Sequence, residues 1–307
     1  MYIQRLSLYS VPIDVGMELT RYVTSQSINP ALDVLVVKLE TDTGLVGWGE
    51  VASAPPYYLP ELSAGGREGI RHVARVLGDI SAALRGHGNA KTALEMALWD
   101  LAAKAHGLPL VDLWGGKVSD SVPVLSVIRI GSREQTLAAF ESERAKGYSR
   151  FQIKIGAGEP HEDITTIRMV QGMAKPHERL WYDPNRAWLV DDAIRVISAT
   201  RDLFPMIENP CETYEECRTV AQRTGVRIML DEVIDSPRRF AEAVQDQVLD
   251  VASLKTSCIG GIEATRQAMG LAKILGVPVR IEDYYGTGIL LACVNHLAHT
   301  LPRNLIF

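Results

Sequence analysis

Seven short apolar runs, each separated from the next by a stretch of helical periodicity, constrain this chain more than any other feature. They are "VPVLSVI", "RFQIKIG", "RLWYDP", "FPMIENP", "VRIMLDE", "VASLKTS" and "VPVRIED", with "NLIF" at the end as a candidate eighth. Strands buried on both faces read as continuous apolar runs, and strands alternating with helices are the sequence form of a parallel sheet with crossover helices. The segments between them carry ordinary helix signals, such as Ser132 and Gln135 placed as a capping box ahead of Leu137 and Phe140. Seven or eight such units in series predict an α/β chain built on a TIM-type (β/α)7β barrel.

In such a barrel the C-terminal ends of the strands converge on one mouth. Lys154, Asp183, Glu208, Asp231, Lys255 and Asp283 fall at or just past those ends, at intervals of 29, 25, 23, 24 and 28 residues. Taken singly, an acid at a strand end is usually a helix cap or a solvated loop residue. The shared phase argues otherwise. Asp183, Glu208 and Asp231 would repel one another unless protonated or bridged, and hard oxygen ligands in this number suit Mg2+, or Mn2+ in its place, with water or substrate oxygens completing the shell. Lys154 and Lys255 flank the three acids. A lysine whose neutral form is favoured there can act as a general base, and two of them could take a proton from one face of a carbon and return it to the other. The competing reading is that each lysine only forms a buried ion pair.

Upstream, residues 1–115 read as a smaller α+β unit and 116–307 as the barrel. "VLVVKLETDTGLVGWGEV" is a hairpin turning at Thr41–Gly44, "ASAPPYYLPELSAGG" is a Pro/Gly-rich loop, and Ala90–His106 has helical periodicity closed by Gly107. With 307 residues, 47% of them hydrophobic, the chain can bury a large core, and its formal charge of −5 supplies no basic stripe for nucleic acid. Cys211, Cys217, Cys258 and Cys293 show neither paired nor metal-ligand spacing, which predicts reduced thiols. The N-terminus lacks a signal-peptide core and no apolar run reaches the ~18 residues of a membrane span, so no membrane association and a cytoplasmic location are expected.

Quoted in order, "FQIKIG", "WYDPNRAW", "IENP", "MLDE", "LKTSCIGG" and "IED" resemble the mandelate racemase/muconate lactonizing branch of the enolase superfamily. The "GLVGWGE" hairpin and the "ALWDLAAKAHGLPL" helix resemble that superfamily's N-terminal capping domain. The resemblance covers nearly the whole chain. It implies a Mg2+-dependent enzyme that abstracts the proton α to a carboxylate, passing through an enediolate, with a homo-oligomeric assembly. It further implies Asp183, Glu208 and Asp231 as metal ligands and Lys154 and Lys255 as the acid/base pair of the muconate lactonizing subgroup. Asn185 and Glu232 match positions that support the ligands and Lys255. "PVRIED" lacks the histidine of the mandelate racemase subgroup.

The chain departs from the pattern in places. Gln152 stands where the subgroup has a lysine, removing one cation beside Lys154. The stretch before Ala90 is short, and family members continue past the position of Phe307 with a segment that returns to the cap, so the C-terminal end is expected to be incomplete. The substrate is expected to be a small carboxylate. Relatives of "IEDYYGTGI" include enzymes that racemise, epimerise or dehydrate proline-like amino acids and their betaines. Tyr57 or Tyr58, with Tyr285, would then line a pocket for the ring nitrogen cation, and Asp283 or Glu282 would pair with it. Gly286–Gly288 could instead cradle an anion such as a phosphate. A cycloisomerase, an o-succinylbenzoate synthase or a dipeptide epimerase would use the same lysines and metal; a non-catalytic binding protein would retain only the barrel.

Overall fold

The alternation of apolar and polar residues along each strand decides which side chains the barrel encloses. The computed structural model describes residues 2–13, 22–23, 28–29, 32–52 and 86–307. Strands β1 (Ile3–Ile13), β4 (Leu32–Thr41) and β5 (Val46–Ala52) form an antiparallel sheet in the order β1-β4-β5, with β2 (Tyr22–Val23) paired to β3 (Ile28–Asn29). The β4–β5 turn closes by Gly44 N donating to the Thr41 carbonyl at 3.1 Å, with Gly44 at φ 82°. Helix α1 (Gly88–His106) lies across this sheet and ends on Gly107 at φ 66°. A Cβ on Gly49 would stand 1.8 Å from the Ala93 carbonyl oxygen, so only glycine lets β5 approach α1 this closely.

After the short helix α2 (Leu110–Leu113) the chain enters the parallel strands. β6 (Ser126–Ile128), β7 (Arg150–Lys154), β8 (Arg179–Asp183) and β9 (Met206–Ile207) pair in sequence order, as do β10 (Ile228–Leu230), β11 (Leu249–Lys255) and β12 (Val279–Glu282). A parallel bridge from Glu208 to Met229 joins the two groups, and another from Val279 to Ile306 puts "NLIF" in the eighth position. The intervening helices are α3 (Arg133–Ala145), α4 (Pro160–Gly172), α5 (Val190–Thr200), α6 (Tyr214–Thr224), α7 (Pro237–Gln245), α8 (Thr256–Ile259), α9 (Ile262–Leu275) and α10 (Gly288–His299). The Ser132–Gln135 capping box opens α3. The architecture is a TIM-type (β/α)7β barrel with an N-terminal α+β capping domain.

The helix layer takes one set of strand residues and leaves the other to the interior. Phe151 and Ile153 of β7 join the core between strands and helices, where Phe151 meets Phe140 of α3 edge-on at 4.7 Å between ring centres. Period-two alternation therefore sends Arg150, Gln152 and Lys154 inward. The same rule turns Trp181 and Asp183 of β8, Ser253 and Lys255 of β11, and Arg280 and Glu282 of β12 into the barrel. Trp181, Met229 and Val251 form a separate apolar cluster that plugs the interior beneath the charged layer. All four cysteines are buried free thiols. Among the described residues no helix is long and apolar enough to cross a membrane.

Candidate active site

The strand ends gather their charged residues into one buried layer. Lys154 and Asp183 are register partners on β7 and β8, and Lys154 Nζ donates to Asp183 Oδ2 at 2.5 Å. On the other flank Lys255 Nζ donates to Asp231 Oδ2 at 2.5 Å and to Glu232 Oε1 at 2.6 Å. Glu208 lies between them and is wholly buried. Gln152 donates its amide to both Asp183 Oδ2, at 3.0 Å, and Glu208 Oε2, at 2.6 Å. The amide thus links the two carboxylates, adding a neutral donor to those that Lys154 and Asn185 give Asp183 and Arg280 gives Glu208.

The loops after β8 and β9 hold this arrangement in uncommon backbone conformations. Asn185 at φ 48°, Arg186 at φ 65° and Asn209 at φ 38° all occupy the left-handed region without being glycine. The bend returns Asn185 to Asp183: its backbone N–H reaches Oδ1 at 2.7 Å and its side-chain amide reaches Oδ2 at 3.1 Å. Asn209 accepts a hydrogen bond from the Asp231 N–H at 3.2 Å, tying the third acid to the loop after β9. Bonds from Arg186 N to Asn209 O and from Trp188 N to Pro210 O, both 3.1 Å, zip the two loops together.

The charge states follow from burial against these partners. Burial pushes the Asp183 carboxyl up to about 6, with Lys154 opposing it. Burial, reinforced by Glu232, raises Asp231 well above the usual carboxylate range. Burial also works against Glu208, but Arg280 and the two lysines outweigh it and hold its carboxyl low. Glu232, likewise buried, is drawn down to about 2 by Lys255 and Arg186. Lys255 itself is desolvated, yet Asp231 and Glu232 keep its proton affinity well above that of a free lysine.

The seventh strand departs from the expected phase. Lys255 pairs with Glu282, so Glu282 is the inward residue level with the lysine and Asp283 sits one step beyond, on the loop. Asp283 turns to helix α8: Oδ2 accepts from the Thr256 hydroxyl and from the Ser257 N–H and hydroxyl at 3.0 and 2.9 Å, and Oδ1 accepts from Tyr284 N–H at 2.8 Å. Tyr284 places its ring 4.8 Å from Lys255 Nζ. Tyr285 follows, partly buried. Tyr57 and Tyr58 lie outside the described residues. The glycine turn at Gly286–Gly288 already faces an anion of the protein. Glu50 of the capping domain accepts from Thr287 N–H and hydroxyl, both at 2.6 Å, and from Leu290 N–H at 3.1 Å, filling the start of α10 where a phosphate was an alternative.

Arg280 escaped the sequence reading. It is buried at 4% exposure, rests 5.6 Å from the centre of the Trp181 ring, and ion-pairs with Glu208 and with Glu282, the latter at 2.5 Å. The signal was its place two residues before Glu282, which fixes its face by alternation.

The donor set fits a divalent cation. One oxygen each of Glu208, Asp231 and Glu282 lies within 4.8 Å of the others, a trio with Glu282 where the sequence reading expected Asp183. Asp231 Oδ1 and Glu232 Oε2 are buried with no hydrogen-bond donor among the described residues. A buried carboxylate oxygen without a donor is costly, and a cation removes that cost.

Comparison with known proteins bears on the family and the fold. Residues 135–307 match the enolase C-terminal domain-like family, and residues 22–115 match the mandelate racemase/muconate lactonizing enzyme N-terminal domain. A cis-3-hydroxy-L-proline dehydratase of Roseibium aggregatum is 35% identical over 96% of this chain and 84% of its own. An L-Ala-D/L-Glu epimerase of Bacillus subtilis is 27% identical over 86% of this chain and 76% of its own. A mandelate racemase/muconate lactonizing enzyme of Roseovarius nubinhibens ISM, solved with magnesium, superposes with a TM-score of 0.90 at 30% identity over 100% of this chain and 87% of its own. This chain belongs to the mandelate racemase/muconate lactonizing enzyme family of the enolase superfamily, and it is an enzyme of the isomerase or lyase type.

Proposed function

We propose that the protein abstracts the proton α to the carboxylate of a proline-like amino acid, with Lys154 and Lys255 as the two acid/base groups. The observation that carries this reading is the pair of ammonium groups on strands either side of the acids, each 2.5 Å from a different carboxylate. Asp183, Glu208 and Asp231 are the residues that would hold Mg2+. When bound, that cation supplies positive charge that stabilises an enediolate and lowers the proton affinity of neighbouring lysines. Asn185 and Gln152 orient Asp183, and Glu232 orients Lys255 through an ion pair at 2.6 Å. Tyr284 places its ring 4.8 Å from the Lys255 ammonium, a cation–π contact.

The substrate is a 3-hydroxyproline or a proline betaine. Similarity to the Roseibium aggregatum dehydratase supports the former. With a hydroxyl on the β-carbon, one lysine takes the α-proton, the Cβ–O bond breaks, and the other lysine returns a proton to the departing hydroxide as water. Without that leaving group, the second lysine protonates the α-carbon from the opposite face, and the product is the enantiomer, or the epimer where the ring carries a second stereocentre. We assign Asp283 to holding the loop against α8, since its oxygens are engaged there, and leave the pocket wall to Tyr285.

The test is α-proton exchange in D2O with Mg2+, followed by NMR for the proline isomers, 3- and 4-hydroxyprolines and proline betaine, with muconate and dipeptides alongside. Exchange or dehydration is expected for a proline-type substrate, with single Lys154→Ala and Lys255→Ala variants about 10^2- to 10^4-fold slower. Turnover confined to muconate or dipeptides would reassign the substrate. Exchange that persists in the double lysine variant would remove the two-base reading.

A further inference from the structure

The two lysines close strands β7 and β11, but different parts of the molecule anchor the chain behind them. Behind Lys154 the anchors belong to the barrel: Ile155 N–H donates to the Asp183 carbonyl at 3.1 Å and Gly156 N–H to Asp163 Oδ1 at 2.8 Å. Behind Lys255 the chain enters α8 at once, with Lys255 as its N-cap, and all four residues of that turn are buried. Asp283 holds one side of α8. The other side lies against helix α1 of the capping domain.

That second contact is close and polar. The Thr92 hydroxyl, wholly buried, stands 3.0 Å from the Thr256 carbonyl and 2.8 Å from the Gly88 carbonyl, so one proton is shared between the cap helix and the residue that follows Lys255. A Cβ on Gly88 would stand 2.4 Å from the Ser257 carbonyl oxygen, which shows how near the two backbones lie. Further along α1, Glu95 Oε2 accepts from Glu263 N–H at 3.1 Å, and Ile262 N–H bonds the same carboxylate. Thr92 and Glu95 thus grip both ends of the segment that joins β11 to α9. Within that segment Cys258 Sγ meets the Tyr284 hydroxyl at 2.8 Å, which ties α8 to the ring beside Lys255.

Resting on the two-lysine reading above, we propose that Thr92 and Glu95 of the capping domain are positioning residues for Lys255, so that docking of the cap aligns one acid/base group and leaves Lys154 to the barrel. A misplacement of about 1 Å at a reacting group costs about 10^2-fold in rate. A methyl in place of the Thr92 hydroxyl approaches a carbonyl oxygen no closer than about 3.3 Å, so it pushes α8 away. The effect falls on one face of the substrate. In a two-base site each lysine takes the α-proton of one enantiomer, trades it with solvent and returns deuterium to the same face, so a displaced Lys255 slows one enantiomer and spares the other.

The test is α-proton exchange in D2O with saturating Mg2+, followed by NMR for both enantiomers of proline, cis-3-hydroxyproline and proline betaine. Lys255→Ala identifies the enantiomer that depends on Lys255. For that enantiomer the Thr92→Val/Glu95→Gln pair is expected to be about tenfold slower, with the other within about twofold of the parent. Thr92→Ser keeps the hydroxyl and should keep the parent rate. Equal slowing of both enantiomers, or of neither, overturns the proposal and leaves the cap contact purely structural. If Lys154→Ala and Lys255→Ala do not select opposite enantiomers, the two-lysine reading falls and this proposal with it. Amide hydrogen exchange needs no substrate and decides the matter if the parent turns over none of these compounds. The paired variant should then speed exchange at residues 256–261 at least about fivefold and leave 150–157 unchanged, and unaltered protection at 256–261 overturns the proposal. Should the pair fail to fold, Thr92→Val alone is read in the same two ways, with about threefold as the expected change.

Discussion

Gln152 shows how one amide can take the place of a cation. The family pattern puts lysine there, but the amide NH2 spans Asp183 and Glu208 and supplies both with a donor while adding no charge. Removing it leaves two buried carboxylate oxygens short of a partner. Gln152→Ala is therefore expected to cost about 1–3 kcal/mol in stability, read by urea unfolding in EDTA. Saturating Mg2+ should shrink that cost, because a cation answers the same oxygens. A cost that is unchanged by Mg2+ would mean that Gln152 matters only for packing. Sequence alone marked Gln152 as a departure but could not say what it touches, since the contact is between strands rather than along one.

Phase within an element was legible, and phase at its last residue was less so. Apolar runs gave seven strands, and the acids and lysines at their ends came out on one layer because alternation and strand length agree. The seventh run left two neighbouring acids open. "RIED" holds two acids in succession, and only the register of Lys255 against Glu282 tells which points inward. Arg280 was passed over because a buried arginine looks like a surface residue until its strand is known to be covered on both faces. Glu50 was equally hidden, being separated by 237 residues from the helix that it caps. That carboxylate is fully buried and takes three donors at the start of α10, so it joins the capping domain to the barrel. Glu50→Gln turns an amide NH2 toward some of those donors. It should lower stability by about 1–3 kcal/mol by scanning calorimetry. A melting temperature within a degree of the parent would show that the cap and α10 do not depend on this contact.

At the scale of the whole molecule, the barrel concentrates more acid in its mouth than its own cations neutralise, and stability should report this. Asp183, Glu208, Asp231, Glu232 and Glu282 face Lys154, Lys255 and Arg280, with Arg186 leaning on Glu232. The carboxyls do not all respond to pH in the same sense. Burial lifts Asp183 to about 6, so between about 4, its unfolded value, and about 6 the folded chain binds a proton that the unfolded chain has lost, and stability falls as pH rises through that window. Asp231, raised by burial and Glu232, works in the same direction. Glu232 is opposite: with its carboxyl drawn to about 2, its contribution is present above about 4 and is lost as pH falls toward 2. In EDTA the protein is thus expected to melt at a lower temperature at pH 7.5 than at pH 5. Mg2+ competes with the extra protons, so it should raise the melting temperature more at pH 7.5 than at pH 5. At a hundredfold excess over its dissociation constant it would add about 2.7 kcal/mol. Equal shifts at both pH values would mean that Asp183 and Asp231 give up no proton on binding, and that the mouth is not held together by the balance of charge described above.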